Sequence, residues 1–381
     1  MTFPSPLAQP PHGDGALVPP AAGVPAVPVP ARRGRRAPLW LFAPLILLLA
    51  ALAAYLLTFL GAEAAIVGML LALVPLAAVL LAIRLVDRWE PEPRSLVAFA
   101  VAWGAVAAVV IALLVDLAVA ATVGDIGAAS AVVQAPIIEE LAKGIGVLIV
   151  FAVGRRAFDG PVDGVVYGAL VGAGFAFTEN ILYFATSLLE GGAAEASTTF
   201  FLRGILSPFA HVMFTAVTGF AVGVAARRGR AGSVAVAFAW GLAGAMLLHG
   251  LWNAAAVYGD FLVLYVTLQV PLFVLFVVGI AMLRREEMRL TRTHLGAYAA
   301  AGWFTAAEVD MLATRGGRAR ALAWSRGAPP ARRDAMRRLI ADATALAAAR
   351  QRAVSGRDPH AAAEERIFLE RTVAARRALV G

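Results

Sequence analysis

Eight times along this chain of 381 residues an apolar window of about 20 residues recurs, near 38–60, 64–84, 96–122, 134–153, 163–186, 203–226, 232–257 and 262–283. A helix rises about 1.5 Å per residue, so each window is long enough to cross the hydrocarbon of a bilayer. In hydrocarbon every backbone N–H and C=O must find its partner within the protein, which leaves helices or a closed barrel, and windows of this length select helices. The expected fold class is therefore all-α, a polytopic membrane bundle of about eight transmembrane helices with a short cytoplasmic helical appendage at the C-terminus. Composition agrees, since 60% hydrophobic and 15% charged residues exceed what a soluble core accommodates. The absence of cysteine removes disulfides, thiolate metal ligands and a cysteine nucleophile.

The windows divide the chain into three parts. Residues 1–37 are rich in Pro, Ala and Gly and end in Arg32, Arg33, Arg35 and Arg36, which reads as a disordered cytoplasmic tail. Residues 38–285 form the membrane domain. Residues 286–381 turn to Arg, Glu and Ala, with scattered apolar residues at Trp303, Phe304, Leu312, Trp324 and Leu339. They are expected to form a cytoplasmic appendage with a solvated charged face, split into short helices at Gly316, Gly317, Pro329 and Pro330. A cytoplasmic tail puts Arg84, Arg88, Arg94, Arg155, Arg156, Arg227, Arg228, Arg230, Arg284 and Arg285 on the inner side and only Arg203 at an outer end. The positive-inside rule supports that orientation, with both termini cytoplasmic in a multi-pass protein of the cell membrane. The net charge of +8 accordingly points to the lipid bilayer as partner, not to nucleic acid.

Ionisable side chains inside such windows are costly and mark function by default. Glu139 and Glu140 are adjacent in the fourth window, followed by Lys143, the only lysine of the chain. Lys143 is four residues from Glu139 and three from Glu140, so on a helix its ammonium reaches either carboxylate and holds one ionised, or merely lowers the cost of insertion. Glu179 and Asn180 lie in the fifth window, His211 in the sixth, and His249 with Asn253 in the seventh. On the expected topology Glu139, Glu179, His211 and His249 all fall roughly 7–12 Å below the outer surface. Taken singly, each could serve only as a hydrogen bond between helices. Together, carboxylates and imidazoles around a confined space suit hydrolysis, with a glutamate as general base for water and an imidazole orienting it or protonating the leaving amine. His249 and Asn253 are one turn apart, a spacing from which both could donate to a developing oxyanion. Gly168, Gly172 and Gly174 read as helix-packing positions, Asp163 as a helix cap and Trp252 as packing or an interfacial anchor. Nothing beside Asp116 gives it a role.

The sequences EELAK at 139–143, GFAFTENILY at 174–183, His211 and HGLWN at 249–253, with DRWEPEPR at 87–94, resemble the PrsW family of intramembrane proteases over about residues 38–285. That family is similar in turn to the CAAX prenyl endopeptidases. The resemblance implies an intramembrane endopeptidase in which Glu139 and Glu140 activate water with His211, while His249 and Asn253 stabilise the oxyanion. It implies a membrane-anchored protein substrate, such as a single-span anti-sigma factor, cut near the outer face. One departure stands out: where the CAAX enzymes carry FxxxH, this chain has FxxxE from Phe175 to Glu179. Glu179 is thus a catalytic candidate beside His211, with Lys143 and Asn180 supporting.

A catalytic zinc ion needs three protein ligands, and Glu140, Glu179, His211 and His249 could supply them. Lys143 beside the paired carboxylates repels a dication, so no cofactor is the favoured expectation, with zinc the alternative. No HExxH motif is present for a zinc site on a single helix. Two rival classes use the same features: a transporter or channel passing protons or a solute, and a non-catalytic membrane scaffold. A transporter calls for polar groups through both leaflets, whereas the inner halves of windows four to seven are apolar.

Overall fold

The computed structural model of the chain describes residues 37–124, 126–228, 231–356, 358 and 360–380. All but the last residue of the expected N-terminal tail, including its four arginines, lies outside the described residues. Among the described residues the secondary structure is helical, with no strand. The described residues divide into two units, one within residues 37–281 and the other within residues 282–380.

The first unit is built from α1 (Phe42–Val86), α2 (Arg94–Thr122), α3 (Ala135–Val153), α4 (Pro161–Thr199), α5 (Ala210–Arg228), α6 (Ala231–Tyr258) and α7 (Phe261–Ala300), the last of which continues beyond residue 281. Among the described residues five stretches are long and apolar enough to cross a membrane: Leu39–Val86, Arg94–Thr122, Pro161–Arg228, Gly232–Tyr258 and Phe261–Ala300. Length and apolarity thus give five, where the sequence windows lead one to expect about eight. The difference has local causes. α1 holds the first two windows in 45 residues and leaves helical geometry at Gly61, at φ 74°. α4 does the same at Gly192, at φ 67°. Only a residue without Cβ takes that left-handed turn without strain. α3 is long enough at 19 residues and as apolar as its neighbours, and its three charged side chains alone set it apart from the five.

α4 is the centre of this unit, and α1, α2, α3 and α5 pack around it. It is apolar on all sides from Pro161 to Phe175, as expected of a helix with no solvent face, and all these residues but Asp163 are buried. Asp163 accepts the N–H of Gly160 at 2.7 Å and of Asp159 at 2.9 Å, closing the helix start. Three neighbours come to within backbone distance of α4, and a Cβ on Gly68 of α1 would strike the Ile181 carbonyl. A Cβ on Gly174 would strike the Val101 carbonyl of α2, and one on Gly172 would strike the His211 carbonyl of α5. Glycine at 172 therefore sets where the His211 backbone lies. Gly172→Ala is expected to destabilise by about 1–3 kcal/mol through overpacking and to lower any activity that needs His211, measured by thermal unfolding in detergent and by turnover.

The outer helices present Leu47, Phe59, Leu81, Trp240, Leu247 and Leu275 more than half exposed. Apolar surface on this scale belongs against lipid, and the protein is a multi-pass membrane protein.

The loop between α1 and α2 folds onto the start of α4. The Glu92 N–H donates to the Asp87 carboxylate at 3.1 Å, and Tyr167 donates its hydroxyl to Glu92 at 2.5 Å. Burial, reinforced by the nearby Asp163 carboxylate, pushes the Glu92 carboxyl well above the usual carboxylate range. Its folded form therefore holds a proton that the unfolded chain has already released. Stability from this group falls as pH rises from the ordinary carboxylate value toward the raised one. Glu92→Gln keeps the acceptor for Tyr167 and removes this slope, so the variant's advantage in melting temperature should widen between pH 5 and pH 8.

The second unit has helices α8 (Ala306–Ala313), α9 (Arg315–Arg326), α10 (Pro330–Val354) and α11 (Ala361–Val380). Gly316 and Gly317 do not break it; they form the first turn of α9, where Thr314 accepts the Gly317 N–H at 3.0 Å. Leu295, Tyr298, Leu312, Leu339, Leu346 and Phe368 form a core of its own, against which Trp303 packs. Arg352 pairs with Glu364 at 3.0 Å and Arg371 with Asp342 at 2.7 Å. The apolar residues that look scattered in the sequence therefore converge once several sparse helical stripes are stacked. Trp324 is the exception, at 60% exposed.

Candidate active site

Six ionisable side chains meet between α3, α4, α5 and α6. Lys143, with no exposed surface, is at their centre. Its Nζ donates to Glu140 Oε1 at 2.8 Å and to Glu139 Oε2 at 3.2 Å, and lies 3.0 Å from His211 Nδ1. It also sits 3.8 Å above the Phe175 ring, so the aromatic side of the FxxxE turn faces the cation. The i+3 and i+4 spacing on α3 accounts for the first two bonds.

Glu140 is fully buried and fully engaged. Its Oε1 also faces His249 Nδ1 at 3.1 Å, and its Oε2 accepts the Thr215 hydroxyl at 3.0 Å. Glu139 differs from it, because its side chain keeps 14% of its surface exposed and its Oε2 lies 4.0 Å from His249 Nε2. On α4, Glu179 pairs with the Arg203 guanidinium and with His211 Nε2 at 2.7 Å, while Arg203 Nε donates to the Asn180 side chain at 3.0 Å.

The donors fix the proton positions on both rings. An ammonium has only protons to offer, so His211 Nδ1 accepts from Lys143 and its Nε2–H donates to Glu179. An ionised Glu140 can only accept, so His249 donates from Nδ1, and its Nε2 lies 4.0 Å from Glu139 Oε2. The His249 ring is held in place by Phe214, stacked at 4.8 Å, and by His211, edge-on at 5.0 Å.

Glu139, Glu140, Lys143, Glu179, His211 and His249 are thus brought together, with Asn180 joined through Arg203. Asn253 is not part of the group: its Nδ2 donates to the Ala131 carbonyl at 2.8 Å, and so ties α6 to the entrance of α3. Asp116 accepts from Gln134 at 2.8 Å. Trp252 packs edge-on against Phe214 at 5.7 Å. Reasoning from the sequence alone overlooks Thr215, Phe214 and the partner role of Arg203. Thr215 and Phe214 follow His211 by four and three residues, so the face of α5 that carries His211 also carries both.

Glu139, His211 and His249 each bring one ligand atom within 4.8 Å of the others. Two histidines and a carboxylate form a donor set that catalytic zinc uses, and His211 would join it only by giving up its contact with Lys143 or with Glu179. This set differs from the one read off the sequence, because Glu140 is occupied by Lys143, Thr215 and His249, and Glu179 by Arg203 and His211.

Residues 92–280 match the family described as PrsW family intramembrane metalloprotease. Over 139 residues the chain is 34% identical to Protease PrsW of Geobacillus kaustophilus (strain HTA426), an alignment that covers 36% of this chain and 58% of that protein. No solved structure matches the chain.

Proposed function

From the match of residues 92–280 to the PrsW family we propose that this chain is a member of that family, an intramembrane endopeptidase acting on a membrane-anchored protein. The observation that carries the reading is the convergence of Glu139, Glu140, Lys143, Glu179, His211 and His249 within a largely apolar bundle. Glu139 is the general base, because it alone of the paired glutamates keeps exposed surface from which to reach water. It takes the proton of a water held between its carboxylate and His249 Nε2. The water oxygen bonds to the scissile carbonyl carbon, the C–N bond breaks, and Glu139 returns the proton to the leaving nitrogen. Glu140 orients His249 through Nδ1 and, with Lys143, fixes the pair. Glu179 and Arg203 orient His211. Asn253 is a positioning residue through Ala131.

The same reading assigns eight spans, both termini to the cytoplasm and the cut to the outer half of the membrane, supported by the arginine asymmetry and the common depth of the polar groups. A single-span anti-sigma-factor-like regulator is the proposed substrate. A second reading is supported by the three converging donors: Glu139, His211 and His249 would hold a zinc-class ion. When bound, such an ion would supply Lewis-acid polarisation of the carbonyl and of the attacking water. Lys143, within 3.2 Å of Glu139 and 3.0 Å of His211, opposes that charge and favours the first reading.

The test offers the purified full chain in detergent a panel of single-span regulators, with and without a strong chelator. Cleavage that persists under chelation supports the glutamate mechanism. Cleavage that stops and is restored by added zinc selects the second reading. A chain that cuts none of the panel, under conditions where a PrsW relative cuts, overturns both.

A further inference from the structure

Beside the polar cluster, α5, α6 and α7 enclose a cavity of about 160 Å³, the size of one medium amino-acid side chain, with Phe209, Met213, Trp252, Tyr265 and Phe273 in its walls. Gln269 also lines it. Its side chain is 1% exposed, and neither its amide oxygen nor its amide nitrogen has a partner among the described residues. A buried primary amide with both ends unmet, inside a membrane domain, is costly and calls for a complementary group.

The surroundings are shaped for that purpose. Gln269 ends a π-helical stretch, Tyr265–Gln269, and the facing wall follows another, Phe200–Leu206. Such widened turns recur at functional sites. Tyr265 donates its hydroxyl to the Leu206 carbonyl at 2.8 Å, which joins the two stretches. Two packed rings stand between the cavity and the polar cluster: Trp252, in the cavity wall, packs on Phe214, and Phe214 stacks on His249.

We propose that this cavity is a substrate subsite that receives one apolar side chain of an unwound peptide segment, with the Gln269 amide pairing to the main-chain amide of that residue. A peptide unit in a membrane must lose its helical bonds before its carbonyl can be attacked, and then carries a free N–H and C=O. A glutamine amide offers one acceptor and two donors and can meet both. A lipid or detergent tail would fill the volume but leave Gln269 unmet. The proposal takes its occupant from the protease reading above.

The probe is N-acetyl-photoleucine methylamide, a diazirine leucine flanked by two amides, compared with a diazirine alkane of the same size. Each is photolysed with the full chain in detergent and the labelled residues are mapped by mass spectrometry. The expected labels fall on Met213, Trp252 or Phe273, drop about fivefold or more in Gln269→Leu, and are weak with the alkane. Gln269→Leu should melt at or above the temperature of the parent protein, since it removes an unmet buried amide. Absence of label in the cavity, equal labelling by the alkane, or labelling unchanged in Gln269→Leu would overturn the subsite. So would a fall of more than about 5 °C in melting temperature for that variant, which would make Gln269 structural. Cleavage assays separate this from the catalytic reading. If the parent cuts a regulator, Gln269→Leu should raise KM about tenfold with kcat within about twofold, and an unchanged KM would refute the subsite. If the parent cuts nothing yet labelling depends on Gln269, the protease reading falls and the binding site stands.

Discussion

Lys143→Met is expected to cost about 3–5 kcal/mol of stability, the largest loss of any single substitution considered for this chain. The side chain it replaces has no exposed surface and bonds to Glu140 at 2.8 Å, Glu139 at 3.2 Å and His211 at 3.0 Å. Met fills much the same volume, so the loss is not one of packing. It comes from leaving the fully buried Glu140 without its cation, with only Thr215 and His249 to satisfy it. The companion variant Lys143→Met/Glu140→Gln removes both charges and should recover more than half of the loss, because a buried ion pair is worth little against a neutral replacement of the whole pair. Chemical unfolding in detergent measures all three proteins. A Lys143→Met protein as stable as its parent would mean that Glu140 is not held as an anion in the fold.

Glu139→Gln should do the opposite: cleavage falls by about 10³-fold or more while the melting temperature stays within about 2 °C. Gln retains an oxygen for Lys143 but cannot take a proton from water. Because Glu139 keeps exposed surface and has fewer bonds than Glu140, its neutral replacement disturbs little. Glu140→Gln, in contrast, should lose activity and stability together, since the same oxygen serves Lys143 and His249. A Glu139→Gln protein with parental turnover would move the base elsewhere in the cluster, with Glu179 the remaining candidate.

Much of this site was legible in the sequence because intramembrane charge is too costly to be incidental. Glu139, Glu140, Lys143, Glu179, His211 and His249 stand out in apolar windows, and the helical period already pairs Lys143 with both glutamates. Contacts between helices were not legible in the same way. Asn253 shares a helical face with His249, yet bonds to Ala131, whose carbonyl lies at the entrance of α3 and has no side-chain signature. Arg203 looked like a marker of topology, and its partners Glu179 and Asn180 are set by how α4 turns toward the stretch after it. The helix count diverged for a related reason. Windows of hydropathy locate apolar runs, but a break such as Gly61 or Gly192 depends on one glycine's backbone, and α3, though apolar, is set apart by its three charged side chains. The core of residues 282–381 was hidden because each helix contributes only a few apolar positions, and none shows a pattern until it is stacked on the others.

The backbone-to-backbone seating of α4 against α2 and α5 has a bearing on engineering. At Gly172 and Gly174 any added carbon meets a neighbouring carbonyl, so that wall of the site cannot be remodelled by changing residues there. Apart from the close approach of α6 at Gly241 and Gly250, α6 and α7 present side chains such as Trp252 and Phe273 to the rest and keep broad apolar surface turned outward. Attempts to retune selectivity therefore have room on those two helices, where a library can vary shape without displacing the histidine that α4 holds in register.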